Sequence, residues 1–387
     1  MDINALISWL LEKSARSAGS AGSAERSIIR FGRRRDYLRI AALCSEASRR
    51  QPLPQGLKPL PLIDAISCPI GAARLHDAPP GWLSRIRLEP DMPAAVHAAP
   101  RRSTVGLTKG LPWGVEAIKA PAAWRRTTGH RVRVGVIDTG VDAAHPDLRG
   151  SLARGINLLS RGTPPHDDNG HGTHIAGTIA AANQPGGMIG VAPRASIFPV
   201  KAFDHNGSAY VSDIVLAIEW CVRNRMHLIN MSFGMKTRSK ALLGAVRQAT
   251  AAGVLIVASS GNAGRRKAID YPARYPQTIS VGATNRLRRI PPFSNRGSYI
   301  DIYAPGDKIT SAWVGGSYHE MSGTSMATSH VSGAVALLLA AYPGLGPAAI
   351  KTILRRSMQP LRGPRAPRLT GELDVAKMLR TADRLLQ

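Results

Sequence analysis

The rhythm of hydrophobic and polar positions changes near residue 131. Beyond it, short apolar runs at 132–137, 196–200, 228–231, 254–258 and 278–281 alternate with stretches of helical periodicity at 173–182, 212–223 and 241–251. A long apolar helical run follows at 326–341. Continuous apolar runs of this length read as strands buried on both faces. Strands alternating with helices predict an α/β fold with a mostly parallel sheet, helices on both faces and ligands at the carboxyl ends of the strands.

Upstream the pattern is looser. The run 27–31 reads as a strand, and 36–48 as a helix with Tyr37, Ile40, Ala41 and Cys44 on one face. Further strands are expected at 60–66 and 84–88 and a short helix at 69–75, with a Pro-rich interruption at 51–61. An apolar run at 5–11 predicts a short N-terminal helix, and the Ser/Ala/Gly stretch 14–23 reads as a flexible linker. Residues 91–109 hold several Pro, Ala and Gly, the pair Arg101-Arg102 and no apolar period, the mark of an exposed linker. The expected organisation is a helix and linker over 1–25, a small α+β domain over 26–97, a linker over 98–110 and a large domain over 111–387.

Composition is consistent with this division. A chain of 387 residues, 44% hydrophobic, has room for one domain of about 250 residues and a smaller one, and is not disordered throughout. The net charge of +26 divides into +8 over residues 1–110 and +18 over the remainder. An excess so spread reads as a solvated Arg-rich surface; a face for nucleic acid or another acidic surface is the alternative. With 5% aromatic residues and no nucleic-acid motif, little supports that alternative.

Cys44, Cys68 and Cys221 are odd in number and lack C-x-x-C spacing, so reduced, mostly buried thiols are expected. Asp2 before the first apolar run, and Glu12, Lys13 and Arg16 after it, make a poor secretory signal. No run reaches eighteen apolar residues. The expectation is a monomer without a membrane partner, cytoplasmic or exported by an unrecognised route.

Candidate chemistry centres on Gly323-Thr324-Ser325-Met326-Ala327, where a serine opens the long helical run. A hydroxyl attacks a carbonyl only when a base takes its proton and donors stabilise the oxyanion. Candidate partners stand at strand ends and helix starts. Asp138 closes the run Val134-Gly135-Val136-Ile137, His171 lies in Asn169-Gly170-His171-Gly172-Thr173-His174, and Asn262 lies in Ser259-Ser260-Gly261-Asn262. His174 reads as a packed helix residue.

Together with Ile229-Asn230-Met231-Ser232-Phe233-Gly234, these motifs, in this order, resemble the subtilisin-like serine proteases, the subtilases. The resemblance covers residues 110–358. It implies the three-layer subtilisin-like fold and a serine endopeptidase made as a zymogen and acting on protein or peptide substrates. Ser325 is then the nucleophile, His171 the general base, Asp138 its orienting acid and Asn262 an oxyanion donor. The Ser325 amide at the helix start is a second candidate donor. A catalytically silent scaffold on this fold, or a basic polyanion-binding protein, is the alternative.

The resemblance also implies walls of the main substrate pocket from Ser232, Phe233, Gly234, Ser260 and Gly261, with Asp270 near its floor. A carboxylate there would favour Lys or Arg before the scissile bond, unless Asp270 faces solvent or pairs with Arg265, Arg266 or Lys267. No cofactor is implied for the chemistry. A structural calcium site is implied at Asp147, Asn183 and Gln184, with Lys109 counting against it. Residues 26–97 resemble the family's propeptide, which implies a ferredoxin-like β-α-β-β-α-β module that aids folding and lays its tail, about 93–97, in the substrate cleft. Maturation is expected at Arg101-Arg102 or at Leu107. Where the family commonly reads Ala-Thr-Pro-His, this chain has Ala327-Thr328-Ser329-His330, which restores a backbone amide and predicts a more regular helix.

Overall fold

The computed structural model describes residues 3–18, 25–71, 74–75, 78–79, 81–82, 84–97, 103–104, 111–182, 186–363 and 369–386. It divides into two compact units. One gathers Met1–Pro93 with Tyr210–Glu219 and Ser239–Gln248; the other holds Ala94–Ala209, Trp220–Arg238 and Ala249–Gln387.

The larger unit is built on a nine-stranded sheet among the described residues. Across it run Gln359–Pro360, Gly371–Glu372, Ile302–Pro305, Ile279–Thr284, Leu255–Ser259, Leu228–Met231, Arg133–Asp138, Ser196–Lys201 and Ile156–Asn157. All neighbours are parallel except the edge strand Gln359–Pro360. Alternation along each strand sends side chains to opposite faces. Val134, Val136 and Ile197 thus share a core with Ile175 and Ile179 of the helix His171–Ala180 and with Val331, Val335 and Leu338 of the helix Thr324–Ala341. Phe198, of opposite parity to Ile197, meets the Trp220 ring at 6.4 Å on the other face. The result is the three-layer α/β fold that the alternating pattern predicts.

Thr324–Ala341 is long and apolar enough to cross a membrane, yet 83% of it is buried inside the molecule. A helix that is apolar on every side must be covered on every side. Here it is the central core helix.

In the smaller unit a four-stranded antiparallel sheet runs Lys58–Leu60, Ala65–Cys68, Ser27–Phe31, Ile86–Pro90. Its core joins Ile29, Ile66 and Cys68 to Tyr37, Ile40 and Cys44 of the helix Arg34–Arg50. Three expectations change here. The predicted linker at 14–23 is helical as far as Ala18, and the helix Ile3–Ala18 packs Ile3, Leu6, Ile7 and Leu10 into this core. Ser14 and Ser17, on the same face, are buried with them; small polar residues let two helices approach and do not by themselves make a linker. The single run at 60–66 splits around a helical turn at Pro61–Ile63, where Asp64 takes a left-handed conformation with φ 50° and the chain reverses. Of the helix expected at 69–75, only residues 74–75 carry a helical turn among those described.

The last strand of this unit ends in two carboxylates that satisfy helix amides. Glu89 accepts the Ala241 N–H at 2.7 Å and the Lys240 N–H at 3.0 Å where the helix Lys240–Ala251 begins. Asp91 accepts the Ser212 N–H at 2.9 Å and its hydroxyl at 2.7 Å where Val211–Arg223 begins. Free amides and the positive end of the helix dipole both favour an anion there.

Candidate active site

Asp138 ends its strand with the same parity as Val134 and Val136, so its carboxylate faces the His171 helix. That helix starts where Asp167, itself buried, collects the N–H groups of Asn169 at 3.0 Å, Gly170 at 2.8 Å and Thr173 at 2.9 Å. The capped turn sets His171 Nδ1 2.7 Å from Asp138 Oδ1, with both side chains fully buried. A Cβ on Gly172 would lie 2.0 Å from the Gly140 carbonyl oxygen and 3.2 Å from Asp138 Cβ. Only glycine allows the two segments to meet this closely.

Ser325 sits in the first turn of the core helix. Its Oγ lies 2.8 Å from the Ser232 carbonyl oxygen and 2.9 Å from that of His97. The hydroxyl has one proton and donates to one of them at a time. Among the described residues His171 Nε2 is buried without a hydrogen-bond partner, so the His–Asp half of the site is assembled and Ser325 is turned from the histidine toward a carbonyl. Catalytic hydrogen bonds often tighten only with substrate in place.

Thr324 decides which way Asn262 points. Its N–H and its hydroxyl both donate to Asn262 Oδ1 at 2.9 Å, leaving the amide nitrogen to donate to the His97 carbonyl oxygen at 3.1 Å. One peptide carbonyl therefore meets both Asn262 and Ser325, the environment required of a developing oxyanion.

That carbonyl belongs to a segment whose composition reads as exposed linker, while the family resemblance lays its 93–97 part in the substrate cleft. Ala95 and Val96 instead pair antiparallel with Gly234 and Phe233, and the His97 N–H donates to the Ser232 carbonyl at 3.2 Å. A short strand needs only main-chain partners, which explains why no side-chain period marks it.

Of the expected pocket residues, Ser232, Phe233 and Gly234 line this added strand. Ser260 is buried, its carbonyl accepting the Asp270 N–H at 3.1 Å. Gly261 passes so close to Asp270 that a Cβ there would lie 2.6 Å from Oδ2. Asp270 itself meets His97 Nε2 at 2.9 Å, so among the described residues its partner is this imidazole. Ser259, Asp167 and Thr324 were given no role in the sequence, and His97 was placed in the cleft only as the end of the tail, without a partner for its side chain.

His174 is a packed helix residue as expected. Nε2 donates to the Ile309 carbonyl at 3.0 Å, and burial pushes the imidazole down to about 3. Ser329 lies within an uninterrupted helix and donates its hydroxyl to the Met326 carbonyl at 2.7 Å.

The calcium expectation rests on Asp147. Its Oδ2 already accepts the Met188 N–H at 2.9 Å and the Tyr318 hydroxyl at 2.7 Å. Burial, and then the carboxylate itself, raise the Tyr318 phenol, which keeps its proton. Among the described residues no three His, Cys, Asp or Glu gather to hold a metal. Asn183, Gln184 and Lys109 lie outside the described residues, as do Arg101, Arg102 and Leu107.

A buried Asp–His pair, together with a helix-borne serine and an amide donor that share one peptide carbonyl, is the set of groups used by hydrolases of the serine-nucleophile class. The subtilase family model matches residues 129–372. A thermostable alkaline protease of Halalkalibacterium halodurans is 42% identical over 262 residues, 67% of this chain and 70% of that protein. Subtilisin E of Bacillus subtilis is 45% identical over 240 residues, 61% of this chain and 62% of its own length. For a subtilisin of Bacillus pumilus the figures are 44% over 240 residues, 61% and 86%. The chain belongs to the subtilase family, the subtilisin-like serine endopeptidases.

Proposed function

We propose that this chain hydrolyses peptide bonds through Ser325, His171 and Asp138 and is made as a zymogen whose own segment occupies the cleft. The observation that carries the reading is the His97 carbonyl, held by Asn262 and touched by Ser325. In the reaction a substrate strand pairs with Phe233–Gly234 as Ala95 and Val96 do, which presents its carbonyl to Ser325. Rotation about the Ser325 side chain brings Oγ to His171 Nε2, which takes the proton as Oγ attacks. Asp138 Oδ1 holds Nδ1–H and stabilises the imidazolium, and Asn262 donates to the oxyanion. His171 then protonates the leaving amine, and water releases the acyl group by the reverse steps.

Residues 26–97 serve in this reading as the propeptide, with Glu89 and Asp91 capping the helices that begin at Lys240 and Val211. A parallel sheet of high contact order folds slowly, which gives a template its use. The test is labelling by a serine-directed fluorophosphonate with casein hydrolysis as a second readout. Wild type is expected to label and to hydrolyse, and Ser325→Ala to do neither. A folded wild type that does neither would return the chain to the silent-scaffold reading.

A further inference from the structure

The side chain of His97 is held as closely as its carbonyl. Its Nε2 meets Asp270 Oδ2 at 2.9 Å and its Nδ1 meets Ser259 Oγ at 2.6 Å. The ring lies where a side chain at 234 would be, since a Cβ on Gly234 would fall 2.3 Å from Cε1 and 2.5 Å from Nε2. The imidazole is only 10% exposed and Asp270 16%. The slot is therefore flat, roofed by glycine, and lined by polar groups at the two nitrogen positions of one ring.

We propose that this pocket selects histidine before the scissile bond and that the chain matures by cutting its own His97–Ala98 bond. The inference rests on the serine endopeptidase reading above. Both charge states of the ring suit the clamp. Neutral, it gives Nε2–H to Asp270 and accepts from the Ser259 hydroxyl at Nδ1. Protonated, it gives Nδ1–H to Ser259, whose own proton turns toward the Phe233 carbonyl oxygen 3.4 Å away.

Apolar residues in this slot would leave the Asp270 carboxylate, 16% exposed, without its imidazole partner, the arrangement by which a polar site rejects an analogue most strongly. Lysine and arginine carry their charge further from Cα than Nε2 does and offer nothing to Ser259. In the proposed cut Ser325 Oγ adds to the His97 carbonyl carbon as its proton passes to His171. The bond to Ala98 breaks, and its nitrogen takes that proton. One water then hydrolyses the ester, leaving a carboxylate on His97 and a free Ser325.

The test uses the full chain and a set of peptides, Ala-Ala-Val-Xaa-Ala-Ala, in which histidine reproduces residues 94–99. The mature N-terminus is expected at Ala98, with no processing in Ser325→Ala. Among Xaa of His, Lys, Arg, Phe and Leu, histidine is expected to give the highest kcat/KM, by about 10-fold or more over each. Asp270→Asn keeps the pocket's size and is expected to cut the His:Leu ratio of kcat/KM by about 10-fold. Fluorophosphonate titration counts folded sites in each preparation.

An enzyme that labels and cleaves but begins at another residue, or prefers another Xaa, overturns the inference and leaves the endopeptidase reading intact. Failure to label in wild type would remove that reading itself. An unchanged His:Leu ratio in labelled Asp270→Asn would show that the carboxylate does not read the ring.

Discussion

Asn262 does two things with one amide: its oxygen is fixed by Thr324 and its nitrogen addresses the reacting carbonyl. Asn262→Ala is therefore expected to lower kcat by about a hundred- to a thousandfold with a small change in KM, the size that losing this donor costs in subtilisin itself. Steady-state kinetics on a soluble peptide decides it, and an effect confined to KM would contradict the role. His330 shows a different residue-level consequence. It is fully buried with Nδ1–H on the Met326 carbonyl at 2.7 Å, and burial pushes its imidazole from 6.5 down to about 4. Between those pH values the unfolded chain binds a proton that the folded chain refuses, so stability rises with pH across the window and is lost as pH falls. His330→Gln, in a Ser325→Ala background to prevent autolysis, is expected to flatten this loss by on the order of 3 kcal/mol between pH 6.5 and 4. Urea unfolding at the two pH values measures it.

At the scale of elements, Ile3–Ala18 is part of the small unit's core, so the unit cannot be defined as beginning near residue 26. Leu10 is fully buried there, and Leu10→Ala is expected to cost about 2–5 kcal/mol, seen as slower maturation or a lower refolding yield. Unchanged maturation would make the helix an ornament. The central strands of the sheet were legible because strands buried on both faces are mostly apolar, as Leu228–Met231 and Leu255–Ser259 are apart from Asn230 and Ser259. Elements that depend on partners distant in the chain were not. Ile302–Pro305, as short as Leu228–Met231, was not read, and the hairpin Ile309–Trp313 with Ser317–Met321 mixes His, Ser and Glu with its apolar residues, His319 stacking on Trp313 at 4.5 Å. The helices Pro347–Ser357 and Val375–Leu386 also went unread. The site follows the same division. Asp138, His171, Asn262 and Ser325 stand in local motifs, whereas the meeting of His97 with Asp270 spans 173 residues and leaves no local pattern.

For the molecule as a whole, the larger unit's core gathers around the central helix Thr324–Ala341. The excess of +26 is spread along the chain, and no group that touches the His97 carbonyl calls for a cation. Treatment with EGTA is expected to leave kcat and the melting temperature unchanged; a drop in melting temperature restored by calcium would show that residues beyond Asp147 complete a site. The central helix Thr324–Ala341 has a further consequence when the chain is followed in the order of its synthesis. Domains fold as units while the chain emerges, but here the nucleophile and the main cover of the sheet arrive together, after the strands they serve. A chain halted before Thr324 has its acid and its base but no serine to activate and no closed core to hold them. A fragment halted before Thr324 therefore lacks the nucleophile and cannot act through it.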